Sequence, residues 1–188
     1  SRIRAALPTI RFIVEHGGAV VAASHLGRPS GNGFESDLSM EPVAKRLSEL
    51  LEQPVKLAAD VCGPDVEGLT NTLKPGEILL LENLRFNRGE KKGDPAFAHD
   101  LRKLSDLYVN DAFGTSHRCD TSVCGLSRLY DQPAAGMLME KEIHYFEDVL
   151  ADPSIGVLMS RIEALENELK EKEAEIDSIQ KKHKERRA

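Results

Sequence analysis

Residues 77–86, Glu-Ile-Leu-Leu-Leu-Glu-Asn-Leu-Arg-Phe, decide the fold class of this chain. The run from Ile78 to Leu81 follows a turn at Lys74-Pro75-Gly76 and is apolar at every position instead of at alternate ones. Unbroken apolar strands are typical of a parallel sheet that helices cover on both faces. The residues that follow are mostly polar, and ligands of such sheets bind beyond the carboxyl ends of the strands. The stretch therefore predicts both a sheet and the place of a ligand site.

The sequence on either side of this stretch alternates between strand and helix patterns. Short apolar runs predict strands at 19–24, 55–58, 77–81 and 107–110. Apolar residues at helical spacing predict helices at 2–16, 41–52, 66–73, 95–106 and 136–150. Strands separated by helices in this way predict a three-layer α/β/α, Rossmann-like parallel sheet.

The chain changes character at about residue 153, so we expect two domains, 1–153 and 154–188. In the second, apolar residues recur on alternating steps of three and four, mostly Ile at heptad position a and Leu at position d. This pattern favours a parallel two-stranded coiled coil, and therefore a homodimer through residues 155–183. Lys172 and His183 fall on the same seam and weaken it, so a single helix of alternating charge is the alternative.

The composition limits the partners of a chain of 188 residues. A net charge of −6 argues against a uniform polyanion binder, and an aromatic content of 5% without tryptophan argues against a surface for base stacking. The longest apolar runs are far shorter than the ~20 residues that a membrane span needs. We therefore expect neither nucleic acid nor a membrane as a partner.

The three cysteines, Cys62, Cys119 and Cys124, are too few for a disulfide framework. Cys119 and Cys124 also lack a second Cys or His pair that would complete a zinc site. We expect reduced thiols and no metal.

An arginine follows each of three predicted strands. Arg28 lies in Ser-His-Leu-Gly-Arg-Pro (24–29), Arg85 follows the strand quoted above, and Arg118 ends Tyr-Val-Asn-Asp-Ala-Phe-Gly-Thr-Ser-His-Arg (108–118). A guanidinium group is always cationic, and its fork matches carboxylate and phosphate oxygens. The spacing therefore predicts a site for a small, multiply charged anion. Arg2 and His25 are further candidates for residues of this site. The alternative is that ion pairs with nearby carboxylates hold these loops together; the candidate partners are Glu82, Asp111 and Asp120.

These motifs resemble the phosphoglycerate kinase family, and specifically its N-terminal domain, which binds 3-phosphoglycerate. The resemblance covers about residues 1–152, with the segments in the family's order and spacing. The matching segments are RIRAALPTI (2–10), SHLGRP (24–29), LLLENLRF (79–86), YVNDAFGTSHR (108–118) and GMLMEKEIHYF (136–146).

The resemblance implies an enzyme of glycolysis that transfers a phosphoryl group between 1,3-bisphosphoglycerate and ADP. It implies a catalytic role for Arg2, which would stabilise the transferring phosphoryl group. It also implies that four residues hold the phosphate and carboxylate of 3-phosphoglycerate or 1,3-bisphosphoglycerate: His25, Arg28, Arg85 and Arg118. The complete family enzyme uses Mg-ADP or Mg-ATP. The expected localisation is the cytoplasm, or an organelle if a targeting segment is missing.

The chain departs from the family at both ends. The family begins with a strand inside the sheet and a loop whose Arg-x-Asp-x-Asn pattern contacts the triose. This chain starts after both, so we expect a gap in the sheet with unpaired backbone groups. After its long helix the family continues into the nucleotide-binding domain, whereas residues 154–188 follow here. We therefore expect this chain alone to bind no nucleotide and to be inactive. The alternative is a non-catalytic scaffold that binds triose phosphate or dimerises, built from a degenerate kinase half.

The third departure lies within the proposed anion site. The family usually has a histidine where this chain has Asp120. We expect the carboxylate of Asp120 to pair with Arg118 and to weaken anion binding.

Sedimentation of the chain with and without residues 155–188 tests the coiled coil. We expect the longer chain to sediment as a dimer and the shorter one as a monomer, because the heptad seam is the predicted contact. A monomer mass for both would remove the dimer.

Overall fold

The computed structural model describes residues 2–151, so the predicted coiled coil at 154–188 lies outside the described residues. The helices are α1 (Arg2–Glu15), α2 (Glu41–Leu51), α3 (Pro64–Asn71), α4 (Pro95–Arg102) and α5 (Met137–Ala151). The strands are β1 (Val20–Ala22), β2 (Val55–Leu57), β3 (Ile78–Leu80), β4 (Val109–Asn110) and β5 (Ala134–Ala135). Every predicted helix and strand is present, although several are shorter than predicted, and β5 was not predicted. The residues up to Glu142 form one compact unit, and the rest of α5 belongs to a second.

The main sheet has three parallel strands in the order β1-β3-β2. Ile78 at the start of β3 is opposite Val20 of β1 on one side and Val55 of β2 on the other. Ile78, Leu79 and Leu80 are at most 2% exposed, as their unbroken apolar sequence predicts. Residues 78–80 are therefore the central strand of this sheet.

Helices pack on both faces of this sheet. Successive side chains of a strand point to opposite faces, and the side chains of β3 accordingly enter different clusters. Leu79 packs with residues of α3 and α4, including Val66 and Phe97. Ile78 packs with Ile10 of α1 and with α2. The α/β prediction is confirmed, with one helical layer on each face.

A second, two-stranded parallel sheet pairs β4 with β5, with Val109 opposite Ala134. Within residues 2–151 no ladder joins this sheet to the first, and β1 has a ladder partner on one side only. The described strands thus form two separate parallel sheets. The expected gap with unpaired backbone groups stays a prediction.

A buried carboxylate fixes the chain beyond the end of β3. Glu82 is 3% exposed and accepts hydrogen bonds from the Met40 backbone N–H (2.6 Å) and the Ser39 hydroxyl (2.8 Å). Next to it, the Asn83 amide donates to the carbonyls of Leu26 (2.8 Å) and Leu38 (2.9 Å). These bonds hold the long loop after β1 against the end of β3, which is where the predicted ligand site lies.

Candidate anion-binding site

A cavity of about 570 Å³ lies beyond the carboxyl ends of the strands. All five residues predicted for the site line it, although they come from four separate parts of the chain. The lining consists of Arg2, His25, Leu26, Gly27, Arg28, Arg85, Lys91, Arg118 and Asp120. Five cationic side chains therefore face one carboxylate, in a chain whose net charge is −6.

Each predicted residue reaches the cavity from the element that the sequence indicated. Arg2 begins α1, while His25 and Arg28 lie in the loop after β1. Arg85 lies in a 3₁₀ turn, Leu84–Phe86, directly after β3, and Arg118 lies in the chain beyond β4. The parallel strands β1 and β3 end at the same edge of the main sheet, so the loop with His25 and Arg28 meets Arg85 there. Arg118 follows a strand of the second sheet and Arg2 begins a helix, so other elements bring these two to the cavity.

The Arg85 guanidinium is the buried centre of the site. Its side chain is 7% exposed, and Nη1 donates to the carbonyl of Gly27 at 2.9 Å. Gly27 has a φ of +63°, and a Cβ there would collide with the Leu38 side chain, so glycine suits this close approach. Arg85 Nε is buried and has no hydrogen-bond partner among the described residues. The guanidinium is thus held through Nη1, and one of its buried donors is unsatisfied among the described residues.

Asp120 pairs with Arg85 and not with Arg118. Its carboxylate lies 4.0 Å from Arg85 Nη2, and the residue is 8% exposed. Arg118 instead places Nε 3.4 Å from the His117 ring. The expected Asp120–Arg118 pair is therefore wrong. The two residues belong to different turns, since the Arg118 N–H bonds to Thr115 whereas the Asp120 carbonyl accepts from Cys124.

The other four cationic side chains are exposed at the cavity: Arg2, Arg28, Lys91 and Arg118. Within residues 2–151 none of them forms an ion pair. The alternative role, ion pairs that hold loops together, thus applies to Arg85 alone. The other two candidate carboxylates are engaged elsewhere, since Glu82 binds Ser39 and Met40, and Asp111 accepts from the backbone N–H of Leu138 at 2.9 Å. Cationic side chains that form no ion pair in the described part of the chain favour an external anion.

The cationic surroundings also act on His25. Partial burial lowers the pKa of His25, and the neighbouring guanidinium groups of Arg85, Arg118 and Arg2 lower it further. The Asp120 carboxylate opposes this shift. The net lowering favours the neutral imidazole of His25, which can both donate and accept a hydrogen bond.

Lys91 is the cavity residue that sequence reasoning missed. It lies in a 3₁₀ turn, Glu90–Lys92. Glu90, the first residue of this turn, is 1% exposed. Its carboxylate accepts hydrogen bonds from the backbone N–H and the hydroxyl of Ser122. Burial raises the pKa of Glu90, and the nearby Asp120 adds to the shift. The same contact ties the Lys91 turn to the turn that follows Asp120. The run Gly-Glu-Lys-Lys-Gly at 89–93 places two lysines just after the Arg85 motif, but the sequence alone does not show that either one lines the site.

The described residues offer no metal site or membrane span. In the range 2–151 no three His, Cys, Asp or Glu side chains are grouped so that they could hold a metal ion. No helix in that range is long and apolar enough to cross a bilayer. A second cavity of about 480 Å³, which includes Asp60, Cys62 and Arg88 in its lining, lies apart from the five predicted residues.

A family model described as phosphoglycerate kinase matches residues 1–159. The chain belongs to the phosphoglycerate kinase family. Among curated relatives, the phosphoglycerate kinase of Solibacter usitatus is 51% identical over 152 residues, and that of Moorella thermoacetica is 50% identical over 153. Each alignment covers 81% of this chain and 38% of the relative. The chain thus spans about 38% of the length of these phosphoglycerate kinases.

Solved phosphoglycerate kinase structures share the fold. The crystal structure of the enzyme from Pyrococcus horikoshii superimposes with a TM-score of 0.72 at 36% identity, covering 81% of this chain and 38% of that one. The structure from Coxiella burnetii gives a TM-score of 0.69 at 34% identity, covering 81% and 37%. The parallel α/β arrangement described above is therefore that of this family.

Two substitutions should move the pKa of His25 in opposite directions. We expect His25 to titrate below the ordinary value of about 6.5. Arg118→Gln should raise this pKa because it removes a positive charge, and Asp120→Asn should lower it because it removes a negative one. The measurement is the pH dependence of the His25 ring resonances by NMR.

Arg88→Gln, at an exposed arginine outside the cavity, is the matched control and should leave the His25 pKa unchanged. A His25 pKa at or above 6.5 in the unsubstituted chain would contradict the described electrostatics.

Proposed function

We propose that residues 1–153 are the substrate domain of a phosphoglycerate kinase and bind 3-phosphoglycerate or 1,3-bisphosphoglycerate in the cavity. The observation that carries this proposal is the convergence on buried Arg85 of four cationic side chains that form no ion pair within residues 2–151. A triose phosphate presents a phosphate and a carboxyl group at opposite ends. Several separate guanidinium groups can bind both ends at once, since each group matches a planar or tetrahedral oxyanion.

The family resemblance supplies a role for each predicted residue, and their convergence on the cavity supports it. Arg85, Arg28, Arg118 and His25 hold the phosphate and carboxylate of the triose. Arg2 lies at the cavity as the first described residue of α1, and it stabilises the charge of the phosphoryl group during transfer. Lys91 adds a cation that the sequence argument did not include. Phosphoryl transfer depends mainly on positioning and charge stabilisation, which is what arginines fixed at strand ends supply.

The complete enzyme would transfer a phosphoryl group between 1,3-bisphosphoglycerate and ADP in the cytoplasm, as part of glycolysis. Magnesium would enter with the nucleotide, since the cationic cavity does not suit a metal ion and the described range contains no cluster of metal ligands. The 188-residue chain alone would hold the triose without turning it over. In this respect its role is to bind and orient one of the two substrates.

The second candidate is a non-catalytic scaffold that binds triose phosphate or dimerises through residues 155–183. The heptad pattern of the tail favours it. A coupled assay on the chain together with the rest of the enzyme separates the two, because only a working kinase domain restores turnover. Turnover by these 188 residues alone would contradict the proposed inactivity.

Reversing one charge of the cavity should weaken triose binding. We expect Arg28→Glu to raise the Kd for 3-phosphoglycerate by at least about tenfold, because a hydrogen bond to a charged group contributes roughly 1.5–3 kcal/mol. Arg28 is exposed, so the substitution leaves the buried contacts of the domain intact. Isothermal titration calorimetry on the whole chain measures the change.

Arg88→Glu is the control, since it makes the same change of charge at an exposed arginine that does not line this cavity. An equal loss of affinity in both variants would show a general charge effect, and an unchanged Kd in Arg28→Glu would remove the assignment of the cavity.

A further inference from the structure

Two cysteines beside the cavity bring their sulfur atoms together. The thiol of Cys124 donates to Cys119 Sγ, with 3.2 Å between the two sulfurs. Cys119 is exposed and Cys124 is half-buried, and both are free thiols. The pair is therefore adjacent, reduced and open to solvent through Cys119.

The backbone brings the pair together independently of the sulfurs. Residues Thr121–Gly125 form a single π-helical turn in which the Cys124 N–H bonds to the Asp120 carbonyl at 2.9 Å. This bond holds Cys124 close to Asp120, the residue that directly follows Cys119. The turn is anchored from outside, since the Thr121 hydroxyl donates to the Gly89 carbonyl (2.9 Å) and Ser122 is held by Glu90. The two thiols are thus held near each other before any bond forms between them.

We propose that Cys119 and Cys124 are a dithiol–disulfide site, which closes to an intramolecular disulfide on reaction with a low-molecular-weight disulfide and reopens on reduction. This inference does not depend on the proposed function, because it rests on the two sulfurs and the turn that holds them.

The geometry assigns different roles to the two sulfurs. The hydrogen bond to Cys119 and partial burial raise the pKa of Cys124, and Cys119 is the exposed member. The Cys119 thiolate therefore attacks the small disulfide, which breaks its S–S bond and releases one small thiol. Cys124 then loses its proton and attacks Cys119 Sγ, which breaks the mixed disulfide and releases the second thiol. The protein gives up two hydrogen atoms, and the oxidant is reduced to two thiols.

Closure would act on the cavity because Cys119 lies between two of its residues. Arg118 and Asp120 flank Cys119 directly, and both line the cavity. A disulfide to Cys124 would tie the backbone that carries both charges to the π-helical turn. The third cysteine, Cys62, lies in the lining of the other cavity, and it provides an internal reference thiol.

The test uses the whole reduced chain, incubated with mixtures of oxidised and reduced glutathione of increasing ratio. Remaining thiols are then alkylated, and intact mass and peptide mapping locate the bonds. We expect one new species that is lighter by two hydrogen atoms before alkylation, has Cys119 joined to Cys124, and leaves Cys62 alkylated. Dithiothreitol should return all three thiols.

Two variants sharpen the result. Cys124→Ser should stop the reaction at a stable glutathione adduct on Cys119, because the second thiol is gone. Cys62→Ser should behave like the unsubstituted chain. The proposal is overturned if Cys119 and Cys124 both stay alkylatable in excess oxidant. It is equally overturned if the unsubstituted chain stops at the Cys119 adduct, or if the bonds formed involve Cys62 or a second chain.

Discussion

The burial of one arginine beneath other cationic side chains is the constraint on which the site depends. Removing a guanidinium group from water is costly unless its charge and donors find partners. Arg85 meets this cost in part through the Gly27 carbonyl and the Asp120 carboxylate. The carbonyl is available because Gly27 takes a left-handed conformation, and the loop that carries it is held by Asn83. Arg85 Nε has no partner among the described residues, and the proposed function assigns the charge of this guanidinium to an anion in the cavity.

Much of the fold followed from the sequence because its elements are strongly patterned. The apolar run of β3 predicted a central buried strand, and helical spacing predicted all five helices in the described range. Strand β5, only two alanines after Gln132-Pro133, has too little pattern to be recognised. The prediction of strand 19–24 was too long, since only Val20–Ala22 pairs with β3. Ladder length depends on the partner strand, which local sequence does not specify.

The site was predictable where it depends on strand ends and unpredictable where it depends on turns. Arg28 and Arg85 could be grouped because they follow β1 and β3, which are parallel neighbours and end together. Arg118 was grouped with them on the same argument and lines the cavity, although the strand before it belongs to the second sheet. Lys91 could not be grouped in this way, because its place depends on the contact between Glu90 and Ser122, which are 32 residues apart. The predicted partner of Asp120 was wrong for a similar reason, since Arg118 ends one turn and Asp120 begins the next. Proximity in sequence was a poor guide to pairing within this loop.

The most direct test of this account is the response of the Arg85 side chain to 3-phosphoglycerate. In ¹H–¹⁵N spectra of the whole chain, we expect the Nε resonance of Arg85 to shift saturably as ligand is added. Arg102 is the reference within the same spectrum, because its Nε already donates to the Leu129 carbonyl at 3.2 Å and it lies outside the cavity. A resonance of Arg85 that stays fixed while the ligand saturates the chain would contradict the account, because binding would then occur elsewhere.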